Sequence, residues 1–355
     1  MARKATSKDT IARPGLPLDQ PLVGHKNAQN AFLDALQSGR MHHGWLLHGS
    51  KGVGKARFAA QAATYLVAEN ARKTVNGLEI DLNHTDARLV AQGAHPDLHW
   101  INRQTNSDGK KLPKTIPVGV VRSTLHKLQS TAAYGGWRVL VVDAVDELNV
   151  EGANALLKPL EEPSQKTVVF LVAHALNQVL PTIRSRCRHL AFAPLSAEEI
   201  GNLAQSVSGT NLSDTAIALS GGRAGHMLSL SKDSQALDAY QDFCTLAGDT
   251  GERPDGKTMA ARLMFSASLT AMSPEVRELL LGLIEDWLSR RVRGESEPEG
   301  LATPPPIKGL IPQQRLAALW SEHTAAIRTH QAINLDVSER IMVLFDRLDQ
   351  VYSQG

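Results

Sequence analysis

The feature that most constrains this chain is a glycine loop set between a short apolar run and an alanine-rich stretch. Gly49-Ser50-Lys51-Gly52-Val53-Gly54-Lys55-Ala56 matches G-x-x-x-x-G-K-[ST] at every fixed position except the last. In the complete pattern, backbone N–H groups cradle phosphate, the Lys reaches the β- and γ-phosphates, and the Ser/Thr hydroxyl ligates Mg²⁺. Ala56 carries no oxygen and cannot be that ligand. The flanks suit the pattern. Trp45-Leu46-Leu47-His48 reads as a buried parallel strand and Ala56–Leu66 as a helix. Strand, glycine loop and helix in that order are more specific for a fold than for hydrolysis.

Short apolar runs at Gly44–His48, Asp97–Asn102, Trp137–Asp143, Thr167–His174 and His189–Phe192 alternate with helical stretches from Pro21 to Phe192. That alternation predicts an α/β fold, a parallel sheet covered by helices. Ile116–Thr131 is expected to be helical, with Val120, Val121, Leu125 and Leu128 on one face. Arg103–Lys114 reads as an exposed hairpin or loop. Beyond Pro194, Ser196 with Glu199 three residues on forms a capping-box pattern. Helices then run to about Leu230, broken at Ser208–Ser213 and Ser220–Gly222. From Lys232 to Gly355 the chain reads as helix, interrupted at Gly248–Lys257 and Arg293–Pro312. In the last helix, Asp336–Tyr352, the spacing of Val337, Ile341, Leu344, Phe345 and Leu348 predicts a bundle core. The expected divisions are a disordered tail (1–20), the loop-bearing domain (21–193), a small helical domain (194–231) and a larger helical domain (232–355).

At 355 residues and 42% hydrophobic, the chain has material for several real cores. A net charge of +2 makes no global demand for nucleic acid. Two cysteines, Cys187 and Cys244, exclude a four-cysteine zinc site and a disulfide framework. No apolar run approaches the ~20 residues of a membrane span, and Met1–Arg13 lacks the apolar segment of a secretory signal. The expectation is a soluble cytoplasmic protein with no membrane partner.

Arg138–Asp143 is an apolar strand ending in a carboxylate, of the kind that holds Mg²⁺ beside a phosphate loop. The following position, where a hydrolysing site usually places a second acid, is Ala144. Asp146 and Glu147 read as a solvated turn. Two positions that matter to metal and water chemistry, 56 and 144, are therefore methyl groups, and hydrolysis is not expected of this chain.

Asn149–Pro163, which contains Asn-Ala-Leu-Leu-Lys, resembles the helix after the second nucleotide motif in bacterial clamp loaders. Pro181-Thr182-Ile183-Arg184-Ser185-Arg186-Cys187 resembles their Ser-Arg-Cys motif, and Pro21–His25 and Arg40–Gly44 resemble their N-terminal region. Over roughly Pro21–Leu230 the chain thus resembles the delta prime family of DNA polymerase III clamp-loader subunits, within the AAA+ group. The resemblance implies an AAA+ P-loop domain, a helical lid and an all-helical C-terminal collar. It implies gamma/tau and delta subunits as partners in a ring that loads a sliding clamp onto primed DNA. It implies that Gly49, Gly52, Gly54, Lys55 and Asp143 form a degenerate nucleotide site. It further implies that Arg186, between Ser185 and Cys187, reaches a neighbouring subunit's ATP, where a forked, always-charged guanidinium stabilises the spread charge of phosphoryl transfer. A local salt bridge is the other reading of Arg186.

The chain also departs from the family pattern. Family members commonly carry four cysteines for structural zinc between the two nucleotide motifs, whereas Gln61–Arg138 has none. His84, His95, His99 and His126 lie in that interval without zinc spacing and read as neutral surface residues. No zinc, no other metal and no required cofactor are expected, and any ATP or ADP binding is expected to be weak. His174 stands where relatives place a polar phosphate sensor and reads equally as a turn residue. His226 stands where an ATP-using relative has Arg, with Arg223 nearby. Pro159 within a helix removes one hydrogen bond, at about 3 kcal/mol unless the helix kinks. Lys51, Arg57, Lys110, Lys111 and Lys114 have the charge to touch a phosphate backbone, but scattered basic residues of this kind usually read as solvated surface. Two other functions stay open. An ATP-hydrolysing gamma/tau-type subunit would have a hydroxyl at 56, an acid at 144 and Arg at 226. A nucleic-acid-binding ATP switch outside replication is disfavoured by the lack of a recognisable DNA-binding module. On the leading reading the chain serves a polymerase holoenzyme with no polymerase activity of its own.

Overall fold

The computed structural model describes residues 18, 22–73, 77–103, 115–129, 131–208, 212–232, 234–248, 255–299, 301, 313–322 and 337–352. The chain divides into two compact units, Met1–Leu195 and Ser196–Gly355.

In the first unit five parallel strands form one sheet. They are β1 (Gly44–His48), β2 (Leu98–Asn102), β3 (Arg138–Asp143), β4 (Thr167–Ala173) and β5 (Arg188–Ala191), in the order β2-β3-β4-β1-β5. Every expected run is a strand, with ends shifted by about a residue. β4 is Thr-Val-Val-Phe-Leu-Val-Ala and is buried throughout. A strand covered on both faces reads as a continuous apolar run. Successive side chains point to opposite faces. Trp45, Leu47, Val141 and Phe170 therefore join one core with Phe32 of α1 (Lys26–Gln37) and Phe58 of α2 (Lys55–Val67). Leu46, Leu140, Val142 and Leu171 join the other, against Val121 of α4 (Val118–Leu128) and, further along, Leu160 and Ile183. The alanines of α2, Ala59, Ala60, Ala62 and Ala63, are fully buried and bring that helix close to the sheet. A short helix, α3 (Thr85–Ala91), precedes β2 and buries Ala87 and Val90.

Two local expectations change. In α4, Val121 and Leu128 are buried and Leu125 packs at the core margin, but Val120 is 40% exposed. Positions 121, 125 and 128 follow the helical repeat, and position 120 lies one residue's rotation away. The stretch after β3 is two helices, α5 (Val150–Ala155) and α6 (Leu157–Glu161), separated at Leu156. Asn149 caps α5, its Oδ1 accepting the Gly152 N–H at 2.8 Å. Pro159 is the third residue of α6, where an N–H has no intrahelical acceptor to lose. The break removes the cost expected of a mid-helix proline. A one-turn helix, α7 (Pro181–Arg184), leads into β5.

The second unit contains α8 (Ala197–Ser208), α9 (Asp214–Leu219), α10 (Ala224–Lys232), α11 (Gln235–Gly248), α12 (Gly256–Ser268), α13 (Pro274–Arg293), helical residues 313–322 (α14) and α15 (Val337–Tyr352). The capping box before α8 is formed. Ser196 Oγ accepts the Glu199 N–H at 3.1 Å, and Glu199 accepts the Ser196 N–H at 2.9 Å. Ala216, Leu219 and Leu230 share one apolar core with Phe243, Trp287 and Phe345. Ile341, Leu344, Phe345 and Leu348 of α15 are buried as expected, with Val337 packed at the margin. Residues 104–114, 209–211, 249–254 and 302–312, in the stretches expected as loops, lie outside the described residues, as do Lys110, Lys111 and Lys114. So do 1–17 and 19–21, while Leu18 is buried in the first core.

Candidate functional site

The glycine loop leaves β1 at His48 and enters α2 at Lys55, as the motif requires. Two of its glycines answer to steric need. Gly49 has φ +150°, and a Cβ there would overlap the Phe192 carbonyl oxygen. Gly54 caps α2 with φ +115°, and a Cβ there would stand 3.3 Å from His25 Nε2. Gly52 is also at positive φ. His25 Nε2 lies 2.8 Å from the Val53 carbonyl oxygen, and its ring sits 4.8 Å from that of Phe192. His25 and Phe192 thus brace the loop. Residue chemistry alone did not single them out, although the Gly24-His25 pair before α1 marks a turn.

Lys55 is 2% exposed, and its Nζ donates to the carbonyl oxygens of Gly49 and Ser50, both at 2.7 Å. Burial pulls its pKa down to about 8, against the pull of Asp143 and Asp146. Asp143, at the end of β3, is pushed up to about 6 by burial and by Glu147, with Lys55 opposing. The next residue, Ala144, is buried. Asp146 and Glu147 are not the solvated turn expected. Asp146 accepts the backbone N–H groups of His174 (3.0 and 3.1 Å) and Ala175 (2.8 Å), tying the turn after β3 to the turn after β4. Glu147 pairs with Arg103 at 2.6 Å, while burial raises its pKa. His174 is pushed down to about 4, chiefly by burial and then by Lys55. It is a neutral turn residue at pH 7. The glycines suit a phosphate cradle. Position 56 offers no oxygen to a magnesium ion and position 144 no acid, and the Lys55 ammonium meets the carbonyls of its own loop.

Arg186 lies at the other end of β1. Its carbonyl oxygen is 3.3 Å from where a Cβ on Gly44 would be, whereas the loop begins after His48. At ~3.3 Å per residue, the strand separates Arg186 from the loop by about 16 Å. Arg186 Nη2 pairs with Glu161 Oε1 at 2.9 Å, and Nη1 donates to the Thr182 carbonyl at 2.9 Å. The local ion pair expected as the other reading is therefore present. Ser185 Oγ donates to the same Thr182 carbonyl at 3.2 Å. The half-buried Cys187 thiol is pushed up to about 12 by burial.

The remaining candidates are placed as follows. His95 is not a surface residue but 2% exposed, its Nδ1 accepting the Asp97 N–H at 3.2 Å and its ring edge-on to Tyr134. His84 caps α3, accepting the Asp86 N–H at 3.3 Å. Among the described residues, no cluster of three or more His, Cys, Asp or Glu gathers as a metal site, and no helix is long and apolar enough to cross a membrane. Arg223 pairs with Asp286 of α13, and His226 lies against Gly282 of the same helix. Both second-sensor candidates thus face α13.

Residues 24–196, which hold the loop, Asp143 and Arg186, match the family described as DNA polymerase III, delta subunit. The match covers a little under half of the chain. Among its relatives, the DNA polymerase III subunit delta' of Pseudomonas aeruginosa is 35% identical over 160 residues, 45% of this chain and 46% of that protein. Subunit delta' of Escherichia coli K12 is 32% identical over 158 residues, 44% of each. Subunit tau of the same organism is 33% identical over 180 residues, 50% of this chain and 26% of that protein. The chain spans about half the length, or less, of these relatives. Identity at this level does not separate the delta' kind from the tau kind.

Proposed function

We propose that the chain is a delta prime subunit of a DNA polymerase III clamp loader, with a loop of its own that does not hydrolyse ATP. One observation carries this reading: the Lys55 ammonium is satisfied by the carbonyls of Gly49 and Ser50 beside a methyl group at position 56. In this reading Arg186 serves the ATP of a neighbouring subunit. Its place at the far end of β1 from the chain's own loop supports a role in trans. The gamma/tau and delta subunits are the partners, residues 232–355 supply the collar, and the complex sets the sliding clamp on primed DNA in the cytoplasm. The chain needs no cofactor and holds ATP or ADP weakly at most.

The test is ATP turnover by the purified chain with Mg²⁺, and by the complex reconstituted with its partner subunits. The chain alone is expected to show none. The complex carrying Arg186→Ala is expected to lose part of its turnover, since one site of several is affected. An arginine finger is worth roughly 10³-fold at its own site. The similarity to subunit tau favours one other reading, a hydrolysing motor subunit. Turnover by the chain alone on the order of 1 s⁻¹, abolished by Lys55→Ala, would establish the motor reading instead.

A further inference from the structure

The contact between Arg186 and Glu161 is anchored on both sides. Glu161 is the last residue of α6, the helix that restarts after the break at Leu156. Leu160, just before it, and Cys187, just after Arg186, meet over Gly44. A Cβ on Gly44 would come within 2.9 Å of Leu160 Cδ2 and 3.1 Å of Cys187 Sγ. The neighbours of the ion pair are thus packed around a glycine that leaves them room. The half-buried Cys187 thiol, its pKa pushed up by desolvation, acts as a packing group here and not as a nucleophile.

The guanidinium is held along one side. Nη2 meets Glu161 and Nη1 meets the Thr182 carbonyl and, at 3.4 Å, Ser185 Oγ, while Nε has no hydrogen bond among the described residues. The side chains of Arg186 and Glu161 are 36% and 49% exposed, so the pair stands at the surface. A long side chain fixed at two points before a ligand arrives loses less freedom when it binds, and its donors already point one way.

We propose that Glu161 is a positioning residue for Arg186, holding the guanidinium through Nη2 and leaving the Nε side for the phosphate oxygens of a nucleoside triphosphate on a neighbouring subunit. This rests on the trans role of Arg186 proposed above. A carboxylate beside the cation could have the opposite effect, parking the arginine and competing with phosphate. The anchored backbone on both sides favours positioning, and the two roles differ in sign.

The experiment uses full-length chains carrying Glu161→Ala, Glu161→Gln, Arg186→Ala and the double variant, each assembled with the partner subunits and assayed for turnover against ATP concentration. Assembly and thermal midpoints are measured in parallel. Glu161→Ala is expected to lower the kcat of the affected site about threefold to fivefold with little change in KM, the scale of losing one exposed ion pair. Glu161→Gln, which keeps the shape and an acceptor oxygen, is expected to recover most of the rate. The double variant should turn over no more slowly than Arg186→Ala alone. A rate unchanged or raised by Glu161→Ala, or a double variant slower than Arg186→Ala, would overturn the positioning role while leaving the finger standing. Unchanged turnover with Arg186→Ala would overturn both.

Discussion

The carbonyl oxygen of Phe192 fills the space into which a Cβ on Gly49 would project. The close approach joins the start of the phosphate loop to the residue just past β5, and Gly49 must hold φ +150° to make it. Gly49→Ala combines backbone strain with overpacking and is expected to cost about 2–4 kcal/mol. Gly135→Ala is the comparison, since that glycine also has positive φ but open space around it. It should cost about 1 kcal/mol. Urea unfolding of both variants checks the difference, and equal losses would show that the Phe192 contact carries no weight.

Asp143 gives the loop a pH signature. Its carboxyl titrates near 6 in the folded chain against 3.8 unfolded. Between those values the folded state holds the extra proton, so stability from this group is full below about pH 4 and is lost as pH rises through 6. Asp143→Asn removes the dependence. The variant should match the parent below pH 4 and exceed it by about 1–3 kcal/mol at pH 7. Denaturant midpoints at pH 4, 5.5 and 7 test this, and a gap that does not widen with pH contradicts it.

Asp146 is expected to behave as the clasp between the turns after β3 and β4. Asp146→Ala leaves the His174 and Ala175 N–H groups without their acceptor, at about 1–3 kcal/mol. Amide exchange should speed up at residues 174–175 while β4 stays protected. Unchanged exchange there would mean that water replaces the carboxylate at no cost.

In the second unit, Arg262 is 1% exposed and donates to both oxygens of Asp349, at 2.6 and 3.1 Å. Asp349→Ala leaves a buried cation and is expected to cost about 3–5 kcal/mol. Replacing both partners, Arg262→Met with Asp349→Leu, should recover most of that loss. Thermal unfolding of the single and double variants decides the matter. A double variant as unstable as the single one would assign the loss to packing and not to the charge.

Much of the fold is legible in the sequence because burial on both faces leaves little ambiguity. Thr167–Ala173 has no polar residue after its first, and only a central strand accommodates that. The loop was legible because glycines and Lys55 recur at fixed spacing. The contacts that define its chemistry were not, because they join residues far apart in the chain. Asp146 reaches His174 across 28 positions, His25 reaches Val53 across the same number, and Arg223 reaches Asp286 across 63. The break at Leu156 is illegible in the sequence for a different reason. Asn149–Glu161 has helical composition throughout, and Pro159 marks the helix start only once the interruption is known.

The shared core of the second unit has a mechanical consequence. α13 runs 20 residues, about 30 Å at 1.5 Å per residue. α10 rests on it through the Arg223–Asp286 pair and the contact of His226 with Gly282, and Leu230 of α10 and Leu283 of α13 enter one apolar core. Close-packed interiors transmit strain with little compression. A displacement of α13 is therefore expected to carry α10 with it, the two helices moving as one lever arm.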